Sequence, residues 1–226
     1  MSLHEGIANE NPLSSSELFE LIENESLTEI TNRINNDSLI SREYLDELLS
    51  SKNLFNQTPI DYSIILARFD IFKVLISKLT KFNEINQSGY SSIHYAVVWR
   101  RLDELKHIYQ LGCDMHLKTK RLEDPLKMSL RYGYDDITNY LKWTNARDSL
   151  IDYMNDTRNL VNSIEKSQGR LTKDDKKLCE SVCIERELWL KSNPDATIED
   201  FRIKLEECQN MLDCIWKKMN DNPDEA

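Results

Sequence analysis

Ser91-Ser92-Ile93-His94-Tyr95-Ala96 decides the fold, because related stretches stand at one fixed distance on either side of it. Thr58-Pro59-Ile60-Asp61-Tyr62-Ser63 precedes it by 33 residues, and Asp124-Pro125-Leu126-Lys127-Met128-Ser129 follows it by 33. A period of that size marks helix-pair units that cannot bury their apolar faces alone and must stack. Stacks of this kind build extended surfaces rather than pockets, so the sequence points to a partner more than to a reaction.

The three segments resemble ankyrin repeats, whose first helix opens with Thr-Pro-Leu-His-x-Ala. The middle copy is the most complete. Asn86-Gln87-Ser88-Gly89 supplies the turn before it, and Gly112-Cys113-Asp114-Met115-His116 stands where the family has Gly-Ala-Asp-Val-Asn. Glycine suits such turns because it adopts φ > 0 without a Cβ clash. The copies also depart from the family pattern: its His is Asp61 in the first and Lys127 in the third. The inter-helix Gly, kept as Gly133, becomes Ala67 and Arg100. An earlier capping pair is read at Ser16–Ile22 and Leu27–Ile30. It starts 42 residues before Thr58, so about nine extra residues are expected around Asn35–Ser51, with a helical turn at Glu43–Leu49.

Composition agrees with a nearly all-helical chain. Of 226 residues, 40% are hydrophobic and 30% charged, with only 5 Gly and 5 Pro. The net charge of −10 divides as −8 over residues 1–55, +3 over 56–144 and −5 over 145–226. That distribution lacks the concentrated basic field of a duplex nucleic-acid binder. It suits a mildly basic surface that takes an acidic protein segment. No apolar run reaches the roughly 18 residues needed to span a bilayer, and Met1-Ser2-Leu3-His4-Glu5 lacks the basic start and apolar core of a signal peptide. An intracellular location with reduced thiols is therefore expected for Cys113, Cys179, Cys183, Cys208 and Cys214. Cys179 and Cys183 would share a helix face. Small thiols commonly fill helix interfaces, and no His lies in residues 145–226, so no metal is expected.

After Trp143 the period stops and three tail helices are predicted. The first spans Arg147–Lys166, with Leu150, Tyr153, Met154, Leu160, Val161 and Ile164 on one stripe, and Gly169 breaks it. The second follows Thr172, whose spacing to Asp175 is that of a capping box, and ends near Ser192-Asn193-Pro194. Thr197 and Asp200 open the third, whose seam is Phe201, Leu205, Cys208, Leu212, Ile215 and Met219. The stretches Asp148–Tyr153, Gln168–Lys176 and Trp189–Asn193 with Ala196-Thr197 resemble the C-terminal helical lid of the seventy-kilodalton heat-shock chaperones. The whole chain thus resembles a small family of ankyrin-repeat proteins with a lid-like tail. The chaperone's ATPase domain and β-sandwich have no counterpart, and no phosphate-cradling Gly-rich loop is present.

The expected organisation is all-α: a disordered N-terminus over 1–13, an ankyrin solenoid of about four units over 14–144, a three-helix lid-like bundle over 145–220, and a disordered C-terminus over 221–226. No catalytic, cofactor or metal residues are assigned. His94 reads as the structural His of the repeat signature, and nothing places a nucleophile with a partner acid beside His107 or His116. Asp135-Asp136 suits a helix start, and Lys217-Lys218 reads as a solvated helix end. In ankyrin repeats, the residue before the Thr-Pro turn and those late in the first helix face the concave surface. The resemblance thereby puts Tyr90, Trp99, Arg131 and Tyr132 on that face, with Lys120 and Arg121 at a turn tip. Aromatic and Arg side chains dominate interface hot spots, although Trp99 or Tyr132 could equally pack against the inserted loop or the tail. The expected role is a non-catalytic scaffold binding a protein partner with an acidic segment, the tail being a second module. The alternative is a chaperone-associated regulator. The resemblance implies a cytoplasmic setting, extending to cilium, flagellum or centrosome. No nucleic-acid or membrane partner is expected.

Overall fold

Each repeat begins with a short-range hydrogen-bond device that the sequence spells out. In the computed structural model, which describes residues 12–35, 41–79, 85–163 and 170–220, three turn stems recur 33 residues apart. Asn53 N–H donates to Gln57 O, Asn86 N–H to Tyr90 O and Thr119 N–H to Glu123 O, at 2.8–3.0 Å. The Asn53 carboxamide oxygen accepts from Phe55 and Gln57 N–H, and that of Asn86 from Ser88 and Tyr90 N–H. These are Asx turns, in which a side chain mimics the backbone acceptor. Each tip closes with a left-handed residue: Asn56 at φ 60°, Gly89 at 80° and Leu122 at 60°.

Helices begin at caps placed just after these stems. α1 (Ser15–Glu23) and α2 (Leu27–Ile34) form the first pair, and α3 (Arg42–Ser50) is an added helix. α4 (Pro59–Ile65) with α5 (Phe69–Ile76) and α6 (Ser92–Val98) with α7 (Leu102–Gln110) are the next two pairs. α8 (Pro125–Tyr132) pairs with the start of α9 (Asp135–Asn162). Thr58 accepts from Asp61 N–H at 3.2 Å while the Asp61 carboxylate accepts from Thr58 N–H at 3.1 Å, and Pro59 fills N1, where no donor is needed. Between paired helices the chain turns through Glu25, Ala67, Arg100 and Gly133, all at positive φ. Glu25 and Ala67 are 42 residues apart, whereas the caps Ser14 and Thr58 are 44 apart, because α1 has 9 residues and α4 has 7.

α10 (Lys173–Ser192) and α11 (Ile198–Asn220) complete the described helices, and no strand occurs among the described residues. The protein is all-α. Two compact units divide at Thr138/Asn139, within α9 rather than at the expected 144/145. α9 runs unbroken from Asp135, so the second helix of the third repeat and the first tail helix are one element. No Pro or Gly interrupts it. Ile164, Lys166 and Gly169 lie outside the described residues, as do most of both termini. Leu13, the last residue of the segment expected to be disordered, is buried, and its carbonyl accepts from the Tyr44 hydroxyl at 3.0 Å.

Two cores result. The first unit buries Leu18, Ile22, Ile30, Ile60, Ile64, Phe72, Leu75, Ile93, Val97, Leu105 and Ile108. The second gathers Leu150, Met154, Val161, Cys179, Val182, Cys183, Phe201, Cys208, Leu212 and Ile215. Trp143 donates its indole N–H to Ala196 O at 2.8 Å and meets the Phe201 ring edge-on at 5.7 Å. Both predicted capping boxes of this unit form, Thr172 with Asp175 and Thr197 with Asp200. Lys218 does more than the sequence announced: its ammonium binds both Asp175 oxygens at 2.8 and 2.9 Å. It ties α11 to the capping box of α10 while staying exposed at the helix end. The two residues lie 43 apart in sequence, so local pattern carried no sign of the pair.

Candidate protein-interaction site

The buried polar residues of the repeats are structural ties. His94 accepts Ser91 N–H at Nδ1 and donates from Nε2 to Leu117 O at 3.1 Å. Burial lowers its pKa, which keeps the ring neutral. Asp61, in the equivalent place one repeat earlier, accepts from the Ser92 hydroxyl at 2.7 Å, and burial raises its pKa. Each thus links one repeat to the next. The cysteines behave as small hydrophobes: Cys113, Cys179, Cys183 and Cys208 are buried, and burial pushes the Cys113 and Cys208 thiols up to about 11. Among the described residues no cluster of three or more His, Cys, Asp or Glu could hold a metal. No described helix is long and apolar enough to cross a membrane.

The surface is more distinctive. Trp99 and Tyr132 end α6 and α8 at equivalent positions of successive repeats, and the Trp99 side chain is 47% exposed. Around Tyr132 runs a ladder of two stacked rings with a cation at each end. Arg100 lies over the Tyr134 ring at 5.5 Å, Tyr134 stacks on Tyr132 at 5.5 Å, and Arg131 sits over Tyr132 at 4.4 Å. Its ends are pinned: Arg131 reaches Glu123 at 2.8 Å, and Arg100 reaches Asp136 at 3.3 Å. Cations on aromatic faces hold the rings in place while leaving much of their area to solvent.

Lys120 and Arg121 stand exposed at the third turn tip beside Leu122. Tyr90 is set apart from the other five predicted residues, Trp99, Lys120, Arg121, Arg131 and Tyr132. It is half-buried, its ring lies 5.5 Å from His94 and 5.7 Å from Tyr95, and it lines a cavity of about 70 Å3 with Asp61, Asn86 and Ile93. Arg131 is not a bare cation, because the Glu123 carboxylate engages it. Sequence reasoning missed Arg100 and Tyr134. The 33-residue register held a signal for Tyr134: it occupies the place of Arg68 and Arg101, which reach back to carbonyls of the preceding repeat, Glu23 O for one and Ile64 O for the other.

Recurrent stems, turns and inter-repeat ties on one register define a stacked helix-pair repeat protein. No protein-family model matches the chain. Over 136 residues it is 31% identical to "Ankyrin repeat domain-containing protein 45" of Danio rerio, covering 60% of this chain and 61% of that one. Over 173 residues it is 25% identical to the Homo sapiens protein of the same name, covering 76% of this chain and 65% of that one. It thus spans less than two thirds of the length of those curated relatives. One solved structure, described as the yeast ribosomal protein Rps3 in complex with its chaperone Yar1, aligns with a TM-score of 0.48 and 15% identity over 56% of this chain and 89% of that one. The repeats and the curated relatives together make the chain similar to ankyrin-repeat proteins.

Proposed function

We propose that the chain is a non-catalytic protein-interaction scaffold or adaptor that holds a protein partner on the concave face of its repeats. Trp99, Arg131, Tyr132, Lys120 and Arg121 make the main contacts, with Tyr90 at the edge. Exposure of Trp99 and Tyr132 at equivalent positions, next to a pinned cation–aromatic ladder, is the observation that carries the proposal. Preorganised aromatic and Arg side chains lose little conformational freedom on binding. A partner segment with carboxylates would compete for Lys120, Arg121 and Arg131, whose exposed ion pair with Glu123 is weak enough to exchange. The helical tail serves as a second interaction module. A cytoplasmic setting, including cilium, flagellum or centrosome, is part of the same proposal.

The test is quantitative capture of a partner by the full chain and by single variants. Trp99→Ala, Arg131→Ala and Tyr132→Ala should each weaken binding by about 1–3 kcal/mol with the melting temperature nearly unchanged. Loss of several kcal/mol of stability at Trp99→Ala, with affinity intact, would sink the assignment. A second reading, a chaperone-associated regulator, draws on the lid-like residues of the tail, from Asp148–Tyr153 to Ala196-Thr197. It is favoured if variants of the tail, and not of the repeats, lose the partner. Under either reading the protein should show no saturable ATP binding by calorimetry.

A further inference from the structure

We infer that the outward face of α8 is a docking site for an amphipathic helix of a partner protein, which continues the stack where the chain's own repeats end. The face is defined by register. Ile60, Asp61 and Ile64 on α4 correspond to Ile93, His94 and Val97 on α6, and to Leu126, Lys127 and Leu130 on α8. The first two triplets are sealed: Ile64 and Val97 are both 0% exposed, and Asp61 and His94 hydrogen-bond to the following repeat. In the third, Leu130 is 55% exposed and Leu126 half-buried, while Lys127 points its ammonium at Asp124, 3.6 Å away in its own helical turn.

The other end of the stack is finished differently. α1 turns Ser15, Ser16, Glu20 and Glu23 to solvent, the polar dressing of a terminal unit. α8 instead leaves an apolar residue at the centre of its face, so the same surface that buries a neighbouring helix twice within the chain is offered a third time. The two seated faces also specify the occupant. Ser92, in the first turn of α6, donates to Asp61 in the first turn of α4. A helix seated alike on α8 places its first turn over Lys127, an ammonium with three donors and no acceptor. Asp124 faces that ammonium from one side at 3.6 Å; a partner carboxylate takes a further donor, and acidic residues also suit a helix N-terminus. The partner helix therefore carries an apolar stripe for Leu126 and Leu130 and Asp or Glu in its first turn.

The probe is a synthetic amphipathic helix with a leucine stripe and two first-turn glutamates, and a twin in which those glutamates are lysines. Affinity for the full chain is read by fluorescence anisotropy. The acidic peptide should bind, the basic twin at least tenfold more weakly. Leu130→Glu should abolish binding, and Lys127→Glu should invert the preference between the peptides. Leu130→Ser repeats the test if Leu130→Glu perturbs the fold, and Leu54→Ser, at an exposed turn tip, should bind as wild type. Equal binding by the Leu130 variants, or none by the wild type, overturns the inference. So does a wild-type dimer that becomes monomeric with Leu130→Glu, since the occupant would then be a second copy. The concave-face proposal is unaffected by any of these results, because it is tested by the Trp99, Arg131 and Tyr132 substitutions.

Discussion

Single residues in this stack act mainly through backbone conformation and through reach into the next repeat. Ala67 sits at φ 60°, where a Cβ meets its own carbonyl, and its side chain is exposed. Ala67→Gly removes that strain at the cost of added freedom in the unfolded chain. The net gain should be about 0.5 kcal/mol, read as a rise of a few degrees in melting temperature. Gly89 shows the converse. A Cβ there would lie 2.6 Å from Lys120 N and 2.9 Å from Thr119 C, backbone atoms that cannot swing aside. Gly89→Ala should separate two stacked turns, breaking the 3.2 Å bond from Lys120 N–H to Ser88 O, and cost about 2 kcal/mol or more. A loss below the error of a denaturant melt would mean the turns are not held together by this approach.

Elements are joined by longer-range pairs that no local pattern announces. Lys218, first among the causes, and the capping bonds of Thr172 lower the Asp175 pKa from 3.8 to about 2. A depressed carboxylate contributes stability above its unfolded pKa and loses it as pH falls through the folded one. The second unit should therefore lose stability between about pH 4 and pH 2. Lys218→Met should lower its stability at neutral pH and flatten that acid loss. An unchanged acid transition in Lys218→Met would remove the pair from the account. Phe201 matters for another reason. It is fully buried between the edges of Trp143 and Trp189, at ring distances of 5.7 and 5.8 Å. Phe201→Ala should cost about 3–5 kcal/mol, since little around those two indoles can collapse into the space.

At the scale of the whole molecule, each unit has its own core, and the compact boundary falls at Thr138/Asn139. Two cores of this kind can unfold as separate cooperative blocks. Calorimetry should then resolve two steps, with Phe201→Ala lowering one and Gly89→Ala the other. A single transition shifted equally by both substitutions would show that α9 couples the units into one folding block.

Short-range chemistry is the part of this protein that its sequence determined alone. The all-α class, the caps at Thr58, Thr172 and Thr197, the extra helix near Glu43–Leu49 and the apolar seam of α11 arise from residues close in sequence, and the 33-residue period from the recurrence of one such short pattern. The His94 tie and the left-handed places of Gly89, Gly112 and Gly133 were legible for the same reason, as was the exposed turn tip at Lys120 and Arg121. Tertiary structure decided the rest. It set Arg131 against Glu123, built the ladder through Arg100 and Tyr134, drew Tyr90 towards a cavity, carried α9 through the expected boundary, and joined Lys218 to Asp175. It also left Leu130 exposed where Ile64 and Val97 are sealed. These outcomes depend on which side chains the stacking brings within reach, and on whether another repeat stands beyond the last one. A period in sequence fixes that a face exists, whereas its neighbours in space fix whether the face is buried.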